Sequence, residues 1–109
     1  MIPYGQQWID EDDIRAVVAA LQSDYLTTGP RVQEFEGALS AVTGAHEAVV
    51  VNSGTAALHA MIAAAGIGSG DEVIVPAITF AATANAVVYQ GGTPVFAEIK
   101  KESLLIDPE

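Results

Sequence analysis

One short passage constrains the fold more than any other. Ala48-Val49-Val50-Val51 is an apolar run without alternation, and Asn52-Ser53-Gly54-Thr55 follows it at once. Ala56 to Ala65 then reads as a helix, with Leu58, Met61, Ile62 and Ala65 on the face toward a sheet and Gly66 at its end. A strand that is apolar at every position is covered on both faces, which is the situation of a parallel strand. Joined to a helix by a tight polar turn, it predicts an α/β architecture.

The downstream residues repeat the pattern. Asp71 to Val75 predicts a second strand, punctuated by Pro76, and Phe80 to Gln90 a helix stopped by Gly91-Gly92. Pro94 to Ile99 predicts a third strand. The β-helix-β-helix-β order implies a parallel sheet with right-handed crossovers. Upstream, residues 1–9 read as an extended arm. Asp10, with Asp13 three positions on, caps a helix carried by Ile14, Val17, Val18 and Leu21. Tyr25 to Pro30 is a loop, and Val32, Phe35, Leu39 and Val42 mark a second amphipathic helix that Gly44 ends. Leu104-Leu105-Ile106 is an apolar stub in need of a partner.

Composition closes off several kinds of function. The 109 residues include 4 basic and 14 acidic side chains, for a net charge of −10, and no cysteine. A thiol nucleophile, a cysteine-ligated metal and a disulfide framework are excluded. The acidity argues against nucleic acid or an anionic membrane as partner. Half the residues are hydrophobic and the mean hydropathy is +0.35, so the charge does not signal disorder. No run approaches the roughly 20 apolar residues that span a bilayer. Met1-Ile2-Pro3-Tyr4 lacks the basic and apolar regions of a signal peptide, so a cytoplasmic location is expected. Three strands and four helices are few for a doubly wound domain. The chain therefore reads as cut off, and as stabilised by a partner subunit or by more of the same polypeptide.

The turn at Asn52 to Thr55 is the best candidate for chemistry. Free N–H groups and the positive end of the helix dipole converge at a helix N-terminus, where a phosphate or carboxylate is held. Gly54 lets an anion approach the backbone, and Thr55 adds a hydroxyl. The alternative is plain capping by Ser53 or Thr55. No lysine follows as in a Walker loop, and the glycine pattern is not that of a dinucleotide fold. Gly66-Ile67-Gly68-Ser69-Gly70 lies after a helix and before a strand, so it is a stop and a turn. Phe80 leaves the second strand at the sheet edge where ligands bind, free to stack on a planar ring or to join the core. Thr27 and Thr28 beside Gly29 bind a ligand or their own backbone. His46 and His59 read as structural, and Asp10 to Asp13 as a solvated helix start rather than a metal site. Lys100 and Lys101 lie in a solvated turn where nothing depresses a pKa.

Taken in order, these segments resemble the DegT/DnrJ/EryC1/StrS family of nucleotide-sugar aminotransferases. The resemblance is carried by Pro3-Tyr4-Gly5, by Ser23-Asp24-Tyr25-Leu26-Thr27-Thr28-Gly29-Pro30 and by Val32-x-x-Phe35-Glu36. It continues through Asn52-Ser53-Gly54-Thr55-Ala56-Ala57-Leu58-His59, Gly70-Asp71-Glu72-Val73-Ile74-Val75-Pro76, Thr79-Phe80-x-Ala82-Thr83-Ala84-Asn85-Ala86 and Gly91-x-x-Pro94-Val95-Phe96. It covers essentially the whole chain. The opening residues are most similar to the subgroup that aminates a UDP-linked 4-keto-6-deoxy-N-acetyl-hexosamine.

The resemblance implies the N-terminal part of a fold type I (aspartate aminotransferase-like) large domain, with a parallel-sheet core and flanking helices. Residues 1–31 would form an arm, helix and loop, and residues 32–109 the first part of the cofactor-binding domain. It implies pyridoxal phosphate, an amino-acid substrate (glutamate as donor), a nucleotide-linked keto sugar as acceptor, and a homodimer with sites built from both subunits. Gly54 and Thr55 would hold the cofactor phosphate, and Phe80 would stack on the pyridine ring. Tyr4, Thr27, Thr28 and Gly29 would lie toward the sugar nucleotide. The family's Schiff-base lysine, the acid facing the pyridine nitrogen and the serine of the phosphate cup match no residue of these 109. No catalytic residue or metal ligand is assigned, and the chain by itself is expected to be inactive. The family also sets later strands between the first and second strands, so Val49 to Val51 is expected to lack a neighbour. Two rival readings are a sugar dehydratase of the same family, with histidine in place of the lysine, and a small non-enzymatic acidic α/β binding domain.

Overall fold

The computed structural model describes residues 5–108. Its elements are α1 (Glu11–Leu21), α2 (Pro30–Thr43), α3 (Gly54–Ala64), β1 (Glu72–Pro76), α4 (Ala82–Tyr89) and β2 (Thr93–Ala97). Packing divides the chain into two units, one running to Val50 and the other beginning at Val51. That boundary lies 19 residues beyond the division at residue 31 that the resemblance implies.

In the first unit both helices start and stop where local chemistry dictates. Asp10 is extended, and its carboxylate accepts from the N–H groups of Asp12 and Asp13 at 2.9 and 3.1 Å. The Asp13 carboxylate accepts the Asp10 N–H at 3.1 Å, completing a reciprocal capping box. Glu11, Asp12 and Asp13 lie in the first turn, where the helix dipole favours negative charge. Arg15 pairs with Asp12 one turn back. Pro30 opens α2 at the position where a missing N–H costs nothing, and Arg31 pairs with Glu34 at 2.8 Å. Gly44 ends α2 in the left-handed region at φ 73°, its N–H donating to the Ser40 carbonyl at 2.9 Å. The apolar stripes form as the spacing predicts, yet neither helix has a buried residue among those described.

The second unit is a βαβ unit with one further helix. β1 and β2 run parallel, with Ile74 opposite Val95 and Val75 opposite Phe96. α4 crosses between them and supplies most of the core, which consists of Val75, Ala82, Ala86 and Val87. Alanine at two of these positions lets helix and strand approach closely, and α3 packs against α4. Gly92 sits at the tightest corner. A β-carbon there would lie 3.0 Å from both Ile67 Cγ2 and Val87 Cγ1.

Four local expectations are corrected. Ala48–Val51 forms no strand, because a strand exists only through a ladder and no partner strand lies beside it among the described residues. α4 begins at Ala82 rather than Phe80: the Phe80 carbonyl accepts the Thr83 N–H at 3.0 Å, a turn that precedes the helix. Met61 is 66% exposed instead of facing the sheet. The third predicted strand is shorter and earlier, Thr93–Ala97. Beyond it, Ile99 pairs with Ile106 in one antiparallel bridge, so Ile106 of the apolar stub finds a partner, while Leu104 and Leu105 stay exposed. Leu104 turns the chain back at φ 59°, and Lys100 pairs with Asp107 at 3.5 Å.

Candidate anion-binding site

The site is built from the two loops that end at helix N-termini in the second unit. Ser53 is extended and caps α3: its hydroxyl accepts the Ala56 N–H at 3.2 Å, and its carbonyl the Ala57 N–H at 3.0 Å. The amides of Gly54 and Thr55 come first in the helix and have no acceptor within it. Both residues are exposed, and a β-carbon on Gly54 would meet nothing within 4 Å. Ser53 thus takes the capping role, which leaves two backbone amides, the Thr55 hydroxyl and open space. That donor set suits an anion with several oxygens.

The second loop leaves β1 at Pro76. The Ala77 N–H donates to the Ala97 carbonyl at 2.9 Å, and the Thr79 and Thr83 hydroxyls lie 2.8 Å apart, tying the loop to α4. Phe80 stands on this loop, 77% exposed, so the core reading is corrected. Its carbonyl is bound to the helix start and its ring lies outside the core.

Contacts at the opposite end of the sheet show that the two loops share an edge. α3 ends into the Gly66–Asp71 turn, which leads straight to the start of β1. α4 ends beside that same turn, since a β-carbon on Gly92 would touch Ile67 and the Thr93 N–H donates to the Asp71 carbonyl at 2.9 Å. Both helices therefore have their C-termini at the N-terminal end of β1. Their N-termini, with Gly54, Thr55 and the Phe80 loop, lie toward the strand C-termini, where ligands of open α/β sheets bind.

Within the first unit, Thr28 and Gly29 line a cleft of about 240 Å³ together with Leu21, Tyr25, Leu26 and Arg31. Thr28 holds a positive φ of 47°. Gly29 is required by proximity, because a β-carbon there would lie 2.7 Å from Tyr25 Cβ. Thr27 is exposed and does not line the cleft, and Tyr4 lies outside the described residues. Arg31, in the cleft wall, is not among the expected site residues, and its guanidinium pairs with Glu34 at 2.8 Å.

Comparison with known proteins decides the lineage. The profile of the DegT/DnrJ/EryC1/StrS aminotransferase family matches residues 7–109. The chain belongs to that family. It is 48% identical over 107 residues to the spore coat polysaccharide biosynthesis protein SpsC of Bacillus subtilis, covering 98% of this chain and 28% of SpsC. Among solved structures it matches Spr1654 of Streptococcus pneumoniae, a candidate sugar aminotransferase, with 40% identity and a TM-score of 0.90. That match covers 97% of this chain and 27% of Spr1654, which has been solved in PLP, PMP and apo forms. It also matches GDP-4-keto-6-deoxy-D-mannose-3-dehydratase of E. coli, solved with hydrated PLP, at 31% identity and a TM-score of 0.89, covering 96% of this chain and 28% of that one. The fold is thus that of the first part of a fold type I domain, as the resemblance implies. The chain spans little more than a quarter of the length of these relatives. No helix among the described residues is long and apolar enough to cross a membrane.

Proposed function

We propose that these residues serve a PLP-dependent transfer of an amino group from glutamate to a keto group of a nucleotide-linked deoxy sugar. The observation that carries the reading is the pair of free amides at Gly54 and Thr55, on the sheet edge that also bears Phe80, in a chain of this family. Gly54 and Thr55 would bind the cofactor phosphate through two backbone N–H groups and one hydroxyl. The exposed Phe80 ring would cover one face of the pyridine and exclude water from it. Thr28 and Gly29, with Thr27 and Tyr4, would bind the sugar nucleotide. When bound, pyridoxal phosphate supplies the electron sink for moving a proton between carbons.

Lys100 and Lys101 are the only lysines in the sequence, and the family resemblance matches neither to the Schiff-base lysine that holds the cofactor. The 109 residues alone are therefore inactive in this reading, and the active form is a homodimer of longer chains in the cytoplasm. The finer reading is that the acceptor is a UDP-linked 4-keto-6-deoxy-N-acetyl-hexosamine on the route to pseudaminic acid. It is supported by the similarity of the opening residues to that subgroup. The name of SpsC supports polysaccharide synthesis as the setting.

The E. coli dehydratase, solved with the same cofactor, supports a second reading: loss of a sugar hydroxyl instead of gain of an amine. One incubation separates the two. The protein at its natural length is mixed with PLP, glutamate and a UDP-4-keto-6-deoxy-N-acetyl-hexosamine, and the sugar nucleotide is weighed by mass spectrometry. An aminated product with one 2-oxoglutarate per turnover supports the aminotransferase. A dehydrated sugar overturns it in favour of the second reading, and an unchanged sugar with no 2-oxoglutarate overturns the finer substrate assignment.

A further inference from the structure

Glu36 lies on α2, and its Oε1 accepts the backbone N–H of Val50 at 3.0 Å in a partly buried setting. The two residues are 14 apart in sequence, and Val50 sits in the apolar run that forms no strand. Within that run Val49 is 80% exposed between the half-buried Ala48 and Val50. A period of two is that of an extended chain. In an extended chain, alternate amides point to opposite edges, so the Val50 amide belongs to one edge and those of Val49 and Val51 to the other.

We propose that Glu36 is a positioning residue that closes one edge of the Ala48–Val51 run. Its carboxylate stands where a neighbouring strand would place a carbonyl, and leaves only the Val49/Val51 edge open to pairing. A hydrogen bond to a charged acceptor is stronger than one to a neutral carbonyl. A carboxylate has no N–H to offer in return, so a ladder cannot continue past it. The run therefore adds a strand on one side only, and its register is tied to α2 before any partner strand arrives. This role is independent of the transfer chemistry proposed above.

Amide hydrogen exchange resolved to single residues tests the assignment, using the protein purified at its natural length. In Glu36→Ala, exchange at Val50 is expected to rise about tenfold, the effect of losing a hydrogen bond to a charged group. Exchange at Val49 and Val51 is expected to stay within about twofold. Glu36→Gln keeps the reach and an acceptor oxygen, and is expected to restore most of the protection. Unchanged exchange at Val50 in the alanine variant overturns the proposal. An equal rise at all three amides also overturns it, since that reports lost stability and no edge. Should the alanine variant fail to accumulate, Glu36→Asp decides. One methylene shorter, it is expected to lose Val50 protection that Glu36→Gln keeps, and equal protection in the two overturns the assignment.

Discussion

The side-chain amide nitrogen of Gln90 lies 2.6 Å from Nε2 of His59, joining the middle of α3 to the C-cap of α4. The same imidazole meets the edge of Tyr89, with ring centroids 5.3 Å apart. The structural reading of His59 is thereby given a definite content: it holds two helices in register. In the protein at its natural length, His59→Ala is expected to lower unfolding stability by about 1–2 kcal/mol. In a double-mutant cycle with Gln90→Ala, urea denaturation is expected to show a coupling of about 1 kcal/mol. A coupling near zero would mean that the contact contributes nothing.

Gly54→Ala separates fold from binding. The added methyl meets no atom of the protein, so circular dichroism and melting temperature are expected to hold. It would occupy the space the phosphate needs, and PLP affinity, read from the absorbance of the bound cofactor, is expected to fall about tenfold or more. Thr55→Val removes one hydroxyl donor and is expected to cost roughly tenfold in the same titration. Unaltered affinity in both variants would remove the phosphate assignment.

Phe80→Leu is expected to be nearly silent in stability, within about 0.5 kcal/mol, because the ring is outside the core. Its effect should appear in the absorbance maximum and dissociation constant of bound PLP. A large stability loss with an unshifted spectrum would turn Phe80 back into a packing residue.

Gly29→Ala tests the loop ahead of α2. The new β-carbon would overlap Tyr25 Cβ at 2.7 Å, and an atom so near the backbone cannot swing away. A loss of about 1–3 kcal/mol is expected in chemical denaturation, as for overpacked interiors. Tyr25→Gly in the same chain is expected to recover part of it.

The chain as 109 residues is expected to associate or to unfold without a sharp transition. Only four described hydrophobic residues are buried, while Trp8, Leu26, Val49, Ile74, Phe96 and Leu105 are all more than half exposed. Sedimentation velocity and dye binding to apolar surface read this directly. A monomer with a cooperative melt and no dye binding would contradict it.

What was legible in the sequence was local. Asp10 with Asp13, Ser53 before α3, Pro30 and Gly44 each act on backbone groups within a few residues, and each stands where its chemistry predicts. The turn bearing Gly54 and Thr55 was legible for the same reason. Val49 to Val51 was read as a strand because its residues favour one, but pairing is a property of two segments. Phe80 was placed at a helix start because apolar spacing does not distinguish the last loop residue from the first helical one. Glu36 was visible only as part of a motif, since its partner lies 14 residues away.

Gly92 carries a consequence for heredity. Every single-base change in a glycine codon that alters the amino acid and does not stop translation adds a β-carbon, and here it would press on Ile67 and Val87 at 3.0 Å. Leaving glycine here asks both methyl groups to give way by a few tenths of an ångström, so the side chains at positions 67 and 87 set what position 92 admits.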